Sequence, residues 1–413
     1  MTTDSAHQGS PTDLDIAALH ARMVEQTVAT CGQLGVTLPE PVVAALAKVP
    51  RHLFTFDVPL EQAYGKGSVV AKRDERGIML STVSSPTTIA NMLTQAGDLD
   101  GAHVLEVGSG GYNASLLREL VGERGSVTTI DIDPDVVKRA QASLSAAGYD
   151  DVLVLQHDGE LPLEERKNDF DLIIVTVGVW DIPPAWTEQL AEGGRLVLPL
   201  RTLGVTRSWA LEPSEGHLVS RSHTMSGFVP VQGIGAHRGH GVPLDGGAGL
   251  WIDEETYPDT SALEGVLSAP RAQAWTGVTI GMGQPFHDLD LWLASHLDGF
   301  ALLTAEQEAI DSGLINPSWR LGTPAMIDGS SLAYRARPRP LDEARTAVEF
   351  GAYGHGPQAA SLAEKLAEHI RAWHERGRPR PALAVYPAAQ PVHAEPGWFV
   401  LRKRHSTIVL TWP

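Results

Sequence analysis

The stretch VLEVGSGGYNASLL at 104–117 constrains this chain more than any other. Apolar Val104, Leu105 and Val107 read as a buried strand, Gly108, Gly110 and Gly111 as the turn that leaves it, and Ala114 to Leu117 as the opening turns of a helix. A strand that passes into a helix through glycines is a βα unit, the building block of an open α/β sheet. Glycines also let the backbone approach a ligand closely, and the helix N-terminus offers N–H groups to a carboxylate or phosphate. The same turn serves equally well as a plain tight connection. The segments downstream decide between the two.

About twenty residues on, SVTTIDID (126–133) reads as a second strand ending in Asp131, whose carboxylate can take both hydroxyls of a ribose. The next helix, Pro134–Ala147, carries its own punctuation: Asp133 as N-cap, Pro134 at the first helical position and Gly148 just past the end. DVLVLQHDG (151–159) supplies a third strand with Asp158-Gly159 at its carboxyl end, and DLIIVTVG (171–178) a fourth. Three acidic or glycine-rich turns thus fall at the carboxyl ends of successive strands, where open α/β sheets bind ligands.

The order of these features resembles the class I S-adenosylmethionine-dependent methyltransferases, and the protein-L-isoaspartate O-methyltransferases closely. VPRHLF (49–54), STVSSP (81–86), VLEVGSGGYN, HDG (157–159), and IIVTVG (173–178) ahead of GGRLVLPL (193–200) carry the likeness, which spans roughly residues 40–212. It implies a Rossmann-like α/β fold and S-adenosylmethionine as cofactor, with S-adenosylhomocysteine as product. By the same resemblance, Glu106, Gly108, Ser109, Gly110 and Asn113 belong to the cofactor shell, as do Asp131, Ile132, Asp158, Gly159 and Val177. Thr82 and Ser84 become the catalytic contacts facing the methyl group and the acceptor carboxylate, and Val83, Ser85 and Trp180 substrate contacts. The glycine turn is one residue shorter than the family's GxGxGY pattern, and Ser84-Ser85-Pro86 stands where the family has Ser-Gln-Pro.

Local spacing leaves other uses open at three of these positions. A Ser/Thr cluster ahead of the helix Thr87–Gln95 fits an N-cap, with Ser85 capping and Pro86 next in line. Trp180, after the fourth strand, fits a core lid as well as the mouth of a site. His52, beside a proline-bounded segment, reads as a packing or capping group.

At 413 residues and 43% hydrophobic content, one core is too few and two domains are expected. The boundaries are drawn as a helical extension over 1–39, a methyltransferase domain over 40–224 and an α+β domain over 225–413. Residues 1–13 are polar and expected to lack order. Leu14–Gly35 is helical, with Ile16, Leu19, Met23 and Val28 on one face, and Pro39–Lys48 is a second helix. No run of eighteen apolar residues occurs, and MTTDSAHQGS has neither a basic nor an apolar targeting region, so a soluble cytoplasmic protein away from membranes is expected. Fifty acidic against 32 basic side chains give −18, which works against non-specific nucleic-acid binding. Cys31, the sole cysteine, can form neither an internal disulfide nor a cysteine-based metal site and reads as a buried helical residue.

Within the methyltransferase domain, TRSWALE (206–212) and HLVSRS (217–222) read as a hairpin that closes the sheet with an antiparallel edge. Residues 227–249 are a glycine-rich connection, long enough for a lid, in which His237 and His240 lack a supporting metal ligand. Beyond it, 274–281, 331–337, 347–354, 382–387 and 406–412 read as strands, and 287–297 and 358–376 as amphipathic helices, the second packing Leu362, Leu366 and Ile370 on a sheet. A methyltransferase core with such a tail is similar to the FxLD-type peptide methyltransferases of lanthipeptide biosynthesis. That implies esterification of an aspartate in a cyclised ribosomal peptide, with collapse to a succinimide and opening to isoaspartate. The alternative is repair of isoaspartyl residues in damaged proteins. The partner is a peptide in both readings, no metal is required, and the oligomeric state stays open.

Overall fold

The computed structural model describes residues 13–413 apart from 57, 165, 255–258 and 282. The expectation of an unordered tail over 1–13 lies outside these residues except at Asp13, where α1 (Asp13–Gln33) begins. This helix buries Met23, Val24, Thr27 and Cys31 at spacings of three and four, one stripe of a 3.6-residue helix. Val28 is 41% exposed and does not share that face. Five residues beyond Met23, it lies about 140° around the helix axis. After α2 (Glu40–Lys48) and the single turn α3 (Leu60–Ala63), β1 (Val69–Arg73) and β2 (Met79–Val83) form an isolated antiparallel hairpin. It leads into α4 (Pro86–Ala96).

The glycine turn lies at the exit of β3 (His103–Val107) into α5 (Tyr112–Val121). The alternation continues with β4 (Ser126–Asp131), α6 (Pro134–Ala146), β5 (Leu153–Gln156), β6 (Phe170–Val175), α7 (Pro184–Gln189) and β7 (Leu190–Thr202). Strands β5, β4, β3, β6 and β7 lie side by side and parallel. Successive side chains point to opposite faces, which divides the core in two. Val104, Leu172, Ile174 and Val197 pack with helices α1, α2, α4 and α5, whereas Leu105, Ile173, Val175, Leu196 and Leu198 build the other layer. The anticipated hairpin, β8 (Val205–Ser214) and β9 (His217–Met225), pairs antiparallel to β7 but does not close the sheet.

From there the chain builds a second, antiparallel sheet. Its elements are β10 (His240–Pro243), β11 (Ala248–Ile252), β12 (Ala272–Gly281), α8 (Asp288–His296), β13 (Phe300–Ala305), α9 (Gln307–Asp311), β14 (Thr323–Asp328), β15 (Ser331–Arg335), β16 (Arg339–Pro340) and β17 (Ala347–His355). α10 (Ala359–Glu375) covers it and buries Leu362, Leu366 and Ile370, as its periodicity predicts. Then the chain returns. β18 (Ala382–Pro387), β19 (Phe399–Arg402) and β20 (Ser406–Thr411) extend the first sheet in the order β9-β18-β20-β19. The stretch 225–413, expected as one α+β unit, therefore divides between the two sheets, because β18 finds its partner in Leu218 and Val219 rather than in its sequence neighbours. Among the described residues, no helix is long and apolar enough to cross a membrane.

Candidate cofactor and acceptor site

Gly108 turns the chain out of β3 at φ +98, and a Cβ there would stand 2.8 Å from Thr176 Oγ1 and 3.0 Å from Val177 Cγ1. Only glycine meets both demands. The next amide, Ser109 N–H, donates to Asp131 Oδ2 at 3.0 Å, and Asp133 N–H donates to Asp131 Oδ1 at 2.9 Å. Burial pushes the Asp131 carboxyl up, against the pull of these two donors. Below the turn Glu106 is fully buried. Asn113 Nδ2 donates to its Oε1 at 2.8 Å and Thr129 Oγ1 to its Oε2 at 2.5 Å, tying together β3, β4 and α5. Burial lifts its pKa to about 7 despite both donors.

These residues line one open cleft. Leu80 to Ser84 form one wall, the turn Glu106–Gly110 with Tyr112, Asn113 and Asp131 the floor, and Val229 to Gln232 a roof. The cleft thus brings together Thr82, Val83 and Ser84 with Glu106, Gly108, Ser109, Gly110, Asn113, Asp131, Ile132, Gly159 and Val177. Three expected contacts lie elsewhere. Ser85 caps α4, its Oγ accepting the Thr88 N–H at 3.2 Å. Asp158 turns its carboxylate to backbone, taking Glu160 N–H on Oδ1 and Ile234 N–H on Oδ2, each at 3.0 Å. Trp180, only 4% exposed, stacks on His237 with ring centroids 3.9 Å apart, so it is a packing group and not part of the mouth.

Sequence reasoning does not place Ile89, Tyr112, His157, Thr176 or the roof in the cleft. Tyr112 is accessible to it in principle, as the first helical residue after the turn. The roof carries no signal beyond the length and glycine content of 227–249, and only the first part of that segment covers the site. It is pinned at Gly178, which donates to Val229 O at 2.8 Å and accepts from Val231 N–H at 2.9 Å. His52 lies outside the cleft, its Nδ1 2.7 Å from Tyr64 Oη, while buried Arg51 donates to Ala63 O and Val83 O and so braces the wall that carries Ser84.

The cleft also fits a nucleoside-type cofactor by what it leaves unused. Nothing lies within 4 Å of the Cβ position at Gly110, and the buried hydroxyl of Ser109 has no hydrogen-bond partner among the described residues. A family model, that of protein-L-isoaspartate(D-aspartate) O-methyltransferase (PCMT), matches residues 22–234. This chain belongs to that family. As a PCMT family member it is a carboxyl O-methyltransferase dependent on S-adenosylmethionine. It is 35% identical over 193 residues to the protein-L-isoaspartate O-methyltransferase of Methanococcoides burtonii, covering 46% of this chain and 92% of that one. Against the enzyme of the same name from Methanopyrus kandleri it is 34% identical over 215 residues, covering 51% and 92%. A solved structure, also of a protein-L-isoaspartate O-methyltransferase, is 20% identical with a TM-score of 0.47 and covers 87% of this chain and 96% of its own.

Proposed function

We propose that this PCMT family member esterifies the free carboxylate of isoaspartyl residues in peptides or proteins. The observation that supports the reading is the shared cleft, which the hydroxyl-bearing Thr82 and Ser84 line together with the glycine turn and Asp131. When bound, S-adenosylmethionine supplies a methyl group on a sulfonium that leaves as a neutral thioether. Glu106, Ser109, Gly110 and Asp131 would hold it. An ionised carboxylate is already a nucleophile, so no general base is required. The work left to the protein is alignment and partial desolvation, worth several kcal/mol of barrier. Hydroxyls suit this task because they orient the carboxylate without neutralising it, and no Lys or Arg is among the described residues that line the cleft.

The narrower expectation, an aspartate of a cyclised lanthipeptide, rests on the resemblance of the tail, whereas the family model that matches residues 22–234 and the relatives named above are those of protein-L-isoaspartate O-methyltransferases. A competition assay separates the two. A linear isoaspartyl peptide and a cyclised aspartyl peptide are offered together, and mass spectrometry tracks the gain of one methyl and the later loss of methanol. The isoaspartyl peptide should be consumed first. Ser84→Ala should lower the transfer rate at least tenfold and leave cofactor affinity within twofold. Exclusive methylation of the cyclised peptide would overturn the proposal in favour of the narrower substrate.

A further inference from the structure

The turn between β19 and β20, Lys403-Arg404-His405, with Ser406 at the start of β20, is distant in sequence from the cleft and yet bonds to the loops after β5 and β6 and to the roof segment. Lys403 is 8% exposed, with its ammonium 4.8 Å from the centre of the Trp180 ring. Its Nζ donates to Trp180 O, in the loop after β6, and to Arg201 O, in β7, at 2.6 Å. Arg404 Nη1 donates to Ile234 O, in the roof segment, at 3.1 Å. The His405 N–H and Ser406 Oγ both donate to the carboxylate of Asp181, at 2.6 and 2.5 Å, and His405 Nε2 lies 2.8 Å from Glu160 Oε1 in the loop after β5. A buried ammonium is tolerated only where its protons are satisfied, so Lys403 holds the structure to an arrangement in which those carbonyls converge.

The roof hangs on the same residues. His237 stacks on the Trp180 ring that Lys403 covers, and Ile234 is held from one side by Asp158 and from the other by Arg404. At Gly233, which follows the roof residue Gln232, φ is +78 and a Cβ would stand 2.3 Å from Asp158 Oδ2 and 2.5 Å from Ile132 Cδ1, so the end of the roof packs against Ile132, a residue of the cleft. We infer that the segment 403–406 is a clamp that positions the roof over the cofactor, with Lys403 and Arg404 as its positioning residues. Residues near the C-terminal end of the chain, outside the matched family segment, thereby become part of the cofactor site. This rests on the cleft being the cofactor site.

Calorimetry with S-adenosylhomocysteine, alongside thermal unfolding, tests it. Lys403→Met keeps the side-chain length and removes the charge. Arg404→Ala changes an exposed side chain and empties no core, so it stays interpretable where Lys403→Met does not fold. Both should weaken S-adenosylhomocysteine at least fivefold at a temperature where the protein is fully folded. Peptide KM, at saturating cofactor, should stay within twofold, and Arg404→Lys should recover most of the affinity. Folded Arg404→Ala protein with wild-type affinity would overturn the clamp. Failure of the wild-type protein to bind S-adenosylhomocysteine would instead overturn the cofactor assignment itself.

Discussion

At Glu106 the protein does two things that oppose each other, removing a carboxylate from water and supplying a donor to each of its oxygens. Burial wins, and the pKa stands at about 7 against 4.5 for the free group. Below about pH 4.5 both the folded and unfolded chains hold the proton. Between there and pH 7 only the folded chain does, so this residue's contribution to stability is full in acid and is lost as pH rises through 7. Glu106→Gln removes the titration. Its unfolding free energy relative to wild type should rise between pH 4.5 and 8 by up to about 3 kcal/mol, at roughly 1.4 kcal/mol for each tenfold change in proton affinity. Denaturant titrations at the two pH values would show it, and a difference that does not change with pH would refute it. Asp131 is legible from its place at a strand end, because that place derives from chain order alone. Trp180 misleads for the converse reason: whether an aromatic faces a cleft or a stacking partner depends on His237, which nothing local couples to it.

Helix punctuation carries most of what the chain announces about its elements. Asp133 caps α6 as expected, taking Asp135 N–H at 2.9 Å, with Pro134 behind it. Ser85 caps α4 by the same logic, although the family resemblance assigns it to the substrate. Ser85→Ala should therefore cost about 1 kcal/mol of stability, the usual worth of a serine N-cap, and leave cofactor affinity unchanged. Chemical denaturation of the variant beside wild type measures the first and calorimetry the second. A neutral effect on stability would return Ser85 to the substrate. Some of the strands without a sequence signal lack it for a physical reason. β1 and β2 carry Lys72, Arg73 and Ser81 in a two-stranded ribbon with little buried face, so no alternation marks them. β14 is buried at five successive positions and so shows no alternation either.

Taken whole, the molecule extends its first sheet with β18, β20 and β19. Ile408 of β20 is fully buried in the same cluster as Leu196, Leu198 and Leu383, so the tail and the methyltransferase sheet share one core. Ile408→Ala should lower stability by about 2–5 kcal/mol, as other large-to-small core changes do. It should shift the unfolding of the whole first sheet, because no boundary separates the two parts. Fluorescence-monitored denaturation would report this. A separate early transition, with the cofactor site intact beyond it, would show that the tail folds on its own.

The βα alternation, the glycine turn, the carboxylate at the end of β4 and the serine-rich segment ahead of α4 are all legible from the chain alone. These depend on contacts within a few residues or on the order of strands in a parallel sheet, and chain order records both. That β18, β19 and β20 join the first sheet, that the segment from Val229 to Gln232 roofs the cleft, and that Lys403 is buried beside Trp180 emerges only in the folded molecule. Each of these joins surfaces far apart along the chain. Backbone pairing and burial are selected there by shape and by the cost of leaving polar groups unpaired, and neither is written in local periodicity.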